Sequence, residues 1–324
     1  MIGKRILSAL WLLCAVLIPA FAPGAEKFPV RPVEIVNPFG AGGFNDIHCQ
    51  ILSSLAQKYL GQPLIVTMKP GAGGVVGTAF VARAKPDGYT LLFAVNGPNS
   101  IACQIENTGY TQDSFIPIMK INHAPSVVAV RTDRPWKTLG DLIAHIKSDP
   151  NKVVYGTTSV TGVTNFGNHL LLQSAGIKTP LATVPFKGVG DQILSILKGD
   201  TDYMVQVYTG MIPHLKSKEI RALAVLDEKR LSLFPDVPTS KEAGYEALSI
   251  MWGTVLAPKG VPGDTVEFLA AAFGKMVRDD QFVAAMKKME MPVYSMDRFE
   301  FQKYWDKEYR DFGELIARLN LKKK

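Results

Sequence analysis

The stretch PVEIVNPFGAGG, residues 32–43, decides the fold class of this chain. Its first half is a short apolar run typical of a β-strand, and its second half is rich in residues that break strands and helices. A helix is predicted directly afterwards, because apolar side chains recur at helical spacing from Ile47 until Gly61 ends the pattern. Asn45 or Asp46 can cap the start of this helix.

The same pattern continues downstream. Residues 64–68 read as a second strand, residues 69–74 form another glycine-rich turn, residues 75–84 favour a helix, and residues 89–94 read as a third strand. Strand, glycine turn, helix and strand in this order indicate a parallel sheet of an α/β protein.

The middle of the chain repeats this order without repeating its sequence, and the end of the chain is helical. A cap at Thr138 is predicted for one of the helices. Strands are predicted at 127–130, 153–155, 182–186, 203–207 and 222–226. Helices are predicted at 139–148, from 164 or 165, and at 191–197, and, after the run 252–257, over 266–277 and over 301–319.

The first 25 residues have the features of a secretory signal peptide. Lys4 and Arg5 precede an uncharged apolar run over 6–18, which is too short to span a bilayer. Cleavage after Ala22 or after Ala25 satisfies the preference for small residues. We therefore expect an exported protein.

The charge balance argues against nucleic acid as a partner. The 36 basic and 29 acidic residues of the 324-residue chain give a net charge of +7. Lys4 and Arg5 leave with the signal peptide, and three further charges lie in the terminal run 322–324. The remainder is close to neutral and has no basic stripe with interleaved aromatic residues, so nucleic-acid binding is not expected.

Cysteine and histidine patterns indicate neither a metal site nor a cofactor. Cys49 and Cys103 remain after export, and they either form a disulfide or stand as two separate small apolar side chains. Neither cysteine belongs to a CxxC motif or a cysteine-histidine metal spacing, and no HExxH motif occurs. No metal and no cofactor are expected.

Two glycine-containing loops, Phe39–Asp46 and Gly156–Asn165, each lead from a strand into a helix. Unpaired N–H groups and the positive end of the helix dipole make such loops suited to bind an anion, although ordinary turns between strand and helix have the same composition. Neither loop has the Lys-Ser/Thr ending of a Walker A motif, and no GxSxG or SxxK motif is present. Catalysis is therefore not expected.

Six motifs, in this order, resemble the signature of the Bug family, the periplasmic receptors of tripartite tricarboxylate transporters. The similarity runs from about Phe28 to the last predicted helix. The motifs are PFGAGGFND at 38–46, KPGAGG at 69–74, PDGYTL at 86–91, VPFKG at 184–188, RALAV at 221–225 and FPDVPT at 234–239.

The resemblance implies a periplasmic binding protein-like fold of type II, with two α/β domains, crossing strands as a hinge and a ligand cleft. Residues 26–123 and 249–324 are expected to form domain I, and residues 124–248 domain II. Closure on a small organic carboxylate, delivery to membrane transporter subunits and a monomeric state are implied.

Ligand contacts carry over by position from the family. They comprise Phe39, Ala41, Gly42, Gly43 and Asp46 on the first wall, and Thr157, Thr158, Ser159, Thr161, Asn165, Lys187, Gly188 and Asp191 on the second, with Tyr208 as a further candidate.

Alternatives stay open for several of these residues. Phe39 either stacks on the ligand or belongs to the core, Asp46 either caps a helix or contacts the ligand, and Tyr208 either lines the cleft or packs beneath it. Ser159 and Thr161 replace glycines common in the family, which puts ligand identity in doubt. A sensor of the same fold that serves a signalling receptor is the alternative function, and an exported enzyme is the third.

Overall fold

The computed structural model describes residues 28–158, 162–186, 188–291 and 293–322. The predicted signal peptide lies outside the described residues, as do Ser159, Thr161 and Lys187.

The strands of the described chain form one mixed sheet in the order β2-β1-β3-β9-β4-β7-β5-β6, and β8 pairs with β4. They are β1 Val33–Asn37, β2 Leu64–Met68, β3 Thr90–Ala94, β4 Phe115–Arg131, β5 Val154–Thr157, β6 Ala182–Pro185, β7 Tyr203–Val207, β8 Ile220–Val225 and β9 Ile250–Pro258.

The α-helices of the described chain cover both faces of the sheet and close its end. They are α1 Phe44–Leu60, α2 Val75–Ala82, α3 Cys103–Ile105, α4 Leu139–Ser148, α5 Val163–Ser174, α6 Val189–Lys198, α7 Ile212–Lys216, α8 Gly263–Met276, α9 Asp280–Lys288 and α10 Arg298–Arg318.

The predicted parallel α/β organisation is confirmed for two groups of strands. Strand β1 pairs in parallel with β2 and β3, and β5 pairs in parallel with β6 and β7. The long strands β4 and β9 are antiparallel to their neighbours and join the two groups. We call β1, β2, β3 and β9 the first half of the sheet, and β5 to β8 the second half.

Strand β4 runs through both halves. Its residues up to Pro125 pair with β9, and those from Ser126 pair with β7 and β8. The chain returns beside this point, where Ser126 N–H donates to the Ser249 carbonyl at 2.7 Å and the two hydroxyls lie 2.9 Å apart. The predicted boundaries, 26–123 with 249–324 and 124–248, fall at this crossing and stay a prediction.

The predicted N-cap residue is right for helix α4 and wrong for helix α1. Thr138 caps α4 in a capping box with Asp141, as predicted. Helix α1, by contrast, begins after Gly43, which makes no side-chain cap. Asn45 lies two residues past the cap position and donates from Nδ2 to the Phe93 carbonyl at 3.0 Å. The prediction that Asn45 or Asp46 caps α1 is therefore wrong.

Each half has its own apolar core. Helices α1 and α8 cover the first half with side chains such as Leu52 and Phe273, and α4 covers the second half with Leu142. Cys49 is buried in the first core, and neither Cys49 nor Cys103 forms a disulfide. Within the described residues, no helix is long and apolar enough to span a bilayer.

Candidate functional site

A cavity of about 700 Å³ opens between the two halves of the sheet. We call it the cleft. Its described lining residues come from loops at the strand ends, from the start of α5 and from β9. They are Phe39, Ala72, Gly73, Val95, Asn96, Gly97, Pro98, Ala102 and Glu106 on the first-half side, Thr158, Gly162, Val163, Thr164, Gln206 and Val207 on the second-half side, and Met251.

The sheet topology explains why these residues meet. Phe39 follows β1 by two residues, and Thr158 directly follows β5, so both lie beyond the carboxyl ends of parallel strands. Loops at this edge of an α/β sheet form the usual position of a binding crevice. The two predicted glycine-containing loops therefore face one cavity, the first through Phe39 and the second through Thr158 and residues 162–164.

The rest of the first loop lies beside the cleft and not in its lining. Ala41, Gly42 and Gly43 are exposed, whereas Asp46 is buried. Asp46 Oδ2 accepts the Gly42 N–H at 2.8 Å, and Gly42 adopts a left-handed φ of 79°. Asp46 thus holds the loop in shape from the first turn of α1. Ligand contact by these four residues stays a prediction.

The second loop is described only in part. Thr157 is fully buried at the end of β5, beneath Thr158. Gly188 is the N-cap of α6, and Asp191 is exposed in the first turn of that helix. None of these three belongs to the described lining of the cleft, and the predicted contacts at Ser159, Thr161 and Lys187 lie outside the described residues.

Two further predicted contacts point elsewhere. Asn165 is buried and lines a separate cavity between α5 and α10. Tyr208 is buried in the core of the second half, and its hydroxyl donates to the Glu290 carbonyl at 2.9 Å. Tyr208 links the second half to the segment after α9 and is not among the described lining residues of the cleft, and its packing beneath the cleft stays a prediction.

The N-terminus of α5 is the clearest anion-binding feature of the cleft. Gly162, its N-cap, and Val163 and Thr164, its first residues, all line the cavity, and the helix has no side-chain cap. The N–H groups of an uncapped first turn and the helix dipole both favour a negative charge at this point.

Side-chain charge contributes little to the described part of the cleft. Glu106 is the only ionisable residue among the described lining residues. In the described parts of the chain, no group of three or more His, Cys, Asp or Glu residues could hold a metal ion. Neutral N–H groups and the hydroxyls of Thr158 and Thr164 are thus the donors available there to bind an anion.

Two amide side chains of the lining were not predicted. Gln206 Oε1 accepts the Val207 N–H at 2.8 Å, and Gln206 Nε2 donates to Gln192 Oε1 at 2.9 Å, so its orientation is set. Asn96 Nδ2 donates to the Ile250 carbonyl at 2.6 Å, while its buried Oδ1 has no partner among the described residues. This oxygen can accept a hydrogen bond from a ligand or a water molecule.

Behind Asn96 lies the carboxylate of Glu308 in α10. It accepts hydrogen bonds from Trp252 Nε1 and Ser100 Oγ, both at 2.9 Å, and from Asn96 Nδ2 at 3.2 Å. These hydrogen bonds favour the charged form and lower the pKa of Glu308. Burial has the larger effect and raises the pKa to about 7. The protonation of Glu308 is therefore linked to the orientation of a cleft residue.

Some residues that line the cleft were not predicted, and only some of these had a recognisable signal in the sequence. The turn at 69–74, which supplies Ala72 and Gly73, was visible as a glycine cluster in a family motif. Asn96 follows β3 by two residues and Gln206 lies within β7, and neither belongs to a local pattern that indicates a site, so only the three-dimensional structure places them in the cleft.

The fold and the cleft define the class of periplasmic solute-binding proteins. A TctC solute-binding protein from Polaromonas superposes with a TM-score of 0.79 and 27% identity, over 90% of this chain and 100% of that chain. MatC from Rhodopseudomonas palustris, solved with bound malate, superposes with a TM-score of 0.73 and 26% identity, over 89% of this chain and 100% of that chain.

The chain belongs to the receptor family of tripartite tricarboxylate transporters, whose family model matches residues 49–321. A UPF0065 protein of Agrobacterium vitis, from the TAR-I ttuE-ttuC' intergenic region, is 32% identical over 274 residues, which is 84% of this chain and 79% of that protein. The resemblance to Bug receptors seen in the motifs is thereby confirmed.

Proposed function

We propose that this protein is a periplasmic receptor that captures a small organic carboxylate in the cleft, closes on it, and delivers it to the membrane subunits of a tripartite tricarboxylate-type transporter. The observation that carries the proposal is the meeting of the loops after β1 and β5 at one cavity, with the uncapped start of α5 in its wall. The apolar run at 6–18 supports export.

The ligand we favour is a dicarboxylate. The second wall has the uncapped start of α5, and we propose that the loop after β1 donates N–H groups on the first wall, so that each wall binds one carboxylate group. A cavity of about 700 Å³ lies in the usual size range of small-molecule sites. The related MatC, solved with malate, supports this ligand class.

A hydroxyl on the ligand would find an acceptor in Asn96. The Oδ1 atom of Asn96 is buried and unpartnered among the described residues, and a buried acceptor without a partner costs free energy. A hydroxydicarboxylate should therefore bind more tightly than the dicarboxylate that lacks the hydroxyl. We propose that the side chains of Phe39 and Thr158 contact the ligand.

Thermal unfolding of the mature protein tests the proposal. A ligand that binds only the folded state adds about 2.7 kcal/mol at a hundred times its Kd. Malate, succinate, adipate, citrate, benzoate and glutamate form a suitable panel. We expect malate or succinate to raise the Tm, and a panel in which no acid raises it contradicts the proposal.

A substitution at Gly97 tests whether the ligand binds in the cleft. Gly97 lines the cavity, has an ordinary φ, and has open space where a Cβ would stand, so Gly97→Leu should fill the cleft without disturbing the fold. The matched control is Gly263→Leu at the start of α8, which has equally open surroundings.

In calorimetric titration with the acid of the panel that binds most tightly, we expect Gly97→Leu to raise the Kd at least a hundredfold. Gly263→Leu should leave this Kd within twofold of the wild-type value. Unchanged binding by Gly97→Leu would mean that the site lies elsewhere.

A further inference from the structure

A second cavity, of about 470 Å³, lies between α5 and α10. We call it the α5–α10 cavity. Its lining is different from that of the cleft, because leucine and isoleucine side chains form much of it. Leu172 and Leu315 are buried lining residues, and Ile177 and Leu319 are partly exposed lining residues.

The charged groups of this cavity have one sign. Lys178 and Arg318 line it and are exposed, and neither belongs to an ion pair between described residues. No aspartate or glutamate is among the described lining residues. The third basic residue is His169, whose pKa burial lowers, so Lys178 and Arg318 are the positive charges at neutral pH.

An apolar interior with unpaired cations beside it fits an amphiphilic organic anion. We propose that the α5–α10 cavity is a second binding site, and that it takes a carboxylate with an apolar tail. The tail would bury its surface against Leu172 and Leu315, and the carboxylate would pair with Lys178 and Arg318.

The cavity is separate from the cleft but shares a helix with it. Val163 and Thr164, in the first turn of α5, line the cleft, whereas Asn165 and His169 line the α5–α10 cavity. The other wall, α10, packs on α5 through an edge-to-face contact between Phe166 and Phe312, with ring centres 5.4 Å apart. An occupant would therefore contact both α5, which begins at the cleft, and α10.

Octanoate is the probe for this site, in calorimetric titration of the mature protein. We expect one octanoate to bind, with an affinity that rises about fourfold for each methylene from butyrate to octanoate, since each buried CH₂ adds transfer free energy. No binding at millimolar octanoate, or an affinity that does not change with chain length, would overturn the proposal.

Charge reversal locates the carboxylate. The double variant Lys178→Glu with Arg318→Glu changes exposed side chains, so it should fold. We expect it to lower the affinity for octanoate at least tenfold. The control, Lys147→Glu with Arg310→Glu, changes two other exposed cations by the same net charge and should stay within twofold of the wild type. Equal losses in both double variants would overturn the proposal, because they would indicate a general charge effect.

The Gly97→Leu variant separates this site from the cleft. Since Gly97 lines only the cleft, octanoate should bind this variant within twofold of the wild type. Loss of octanoate binding would assign the fatty-acid-like probe to the cleft and overturn the second site, whatever the outcome for the dicarboxylate.

Discussion

Among single residues near the cleft, Glu308, which lies behind Asn96, has the clearest measurable effect. Its pKa is raised by burial from 4.5 to about 7. The folded state therefore binds the proton more tightly than the unfolded chain. The resulting stabilisation is present in full below about pH 4.5 and is lost as the pH rises to about 7.

The variant Glu308→Gln should remove this pH dependence. The free energy of unfolding of the wild type, relative to the variant, is expected to fall by up to about 3 kcal/mol between about pH 4.5 and 7. Urea unfolding at a series of pH values measures it. Glu314→Gln, at an exposed position of the same helix, should follow the wild-type profile. A Glu308→Gln profile parallel to that of the wild type would contradict the account.

At the scale of elements, the crossing between the halves depends on close contact of α5 with the returning chain. Ser249 Oγ donates to the Val163 carbonyl at 3.1 Å. Gly167, one turn further along α5, leaves no room for a Cβ, because it would collide with the side chain of Ser249. Such overpacking is typically destabilising by about 1–3 kcal/mol.

Gly167→Ala is therefore expected to lower the free energy of unfolding by about 1–3 kcal/mol, although alanine is the better helix former. The matched control is Gly190→Ala in α6, where the new methyl group meets open space. The control should be unchanged or stabilised by up to about 1 kcal/mol. Chemical denaturation measures both, and a stabilised Gly167→Ala would show that the helix is not fixed against the crossing.

Elements with a strong local pattern could be predicted, and others could not. Helix α4 was predicted with its bounds and its Thr138 cap, and β2 and β7 with theirs. The first part of β4 was missed because Pro117, Lys120 and His123 interrupt its apolar pattern. Lys120 is nevertheless buried there, since its Nζ donates to the Tyr294 carbonyl at 2.9 Å and lies 2.8 Å from His123 Nδ1.

For the whole molecule, the six ordered family motifs sufficed to predict the fold, whereas the position of the ligand site stays a prediction. Phe39 and Thr158 were predicted and meet at the cleft, because both follow parallel strands. Asn96, Gln206 and the α5–α10 cavity depend on pairing between distant segments, for which the sequence has no local signal.

Under the proposed function, one ligand contacts both halves of the molecule. Hydrogen exchange followed by mass spectrometry, with and without the tightest acid of the panel, tests it most directly. We expect slower exchange both in peptides covering Phe39–Asp46 and in peptides covering Gly162–Phe166, since each wall would donate N–H groups to the ligand. Protection of only one wall, or protection confined to other parts of the chain, would contradict capture between the halves.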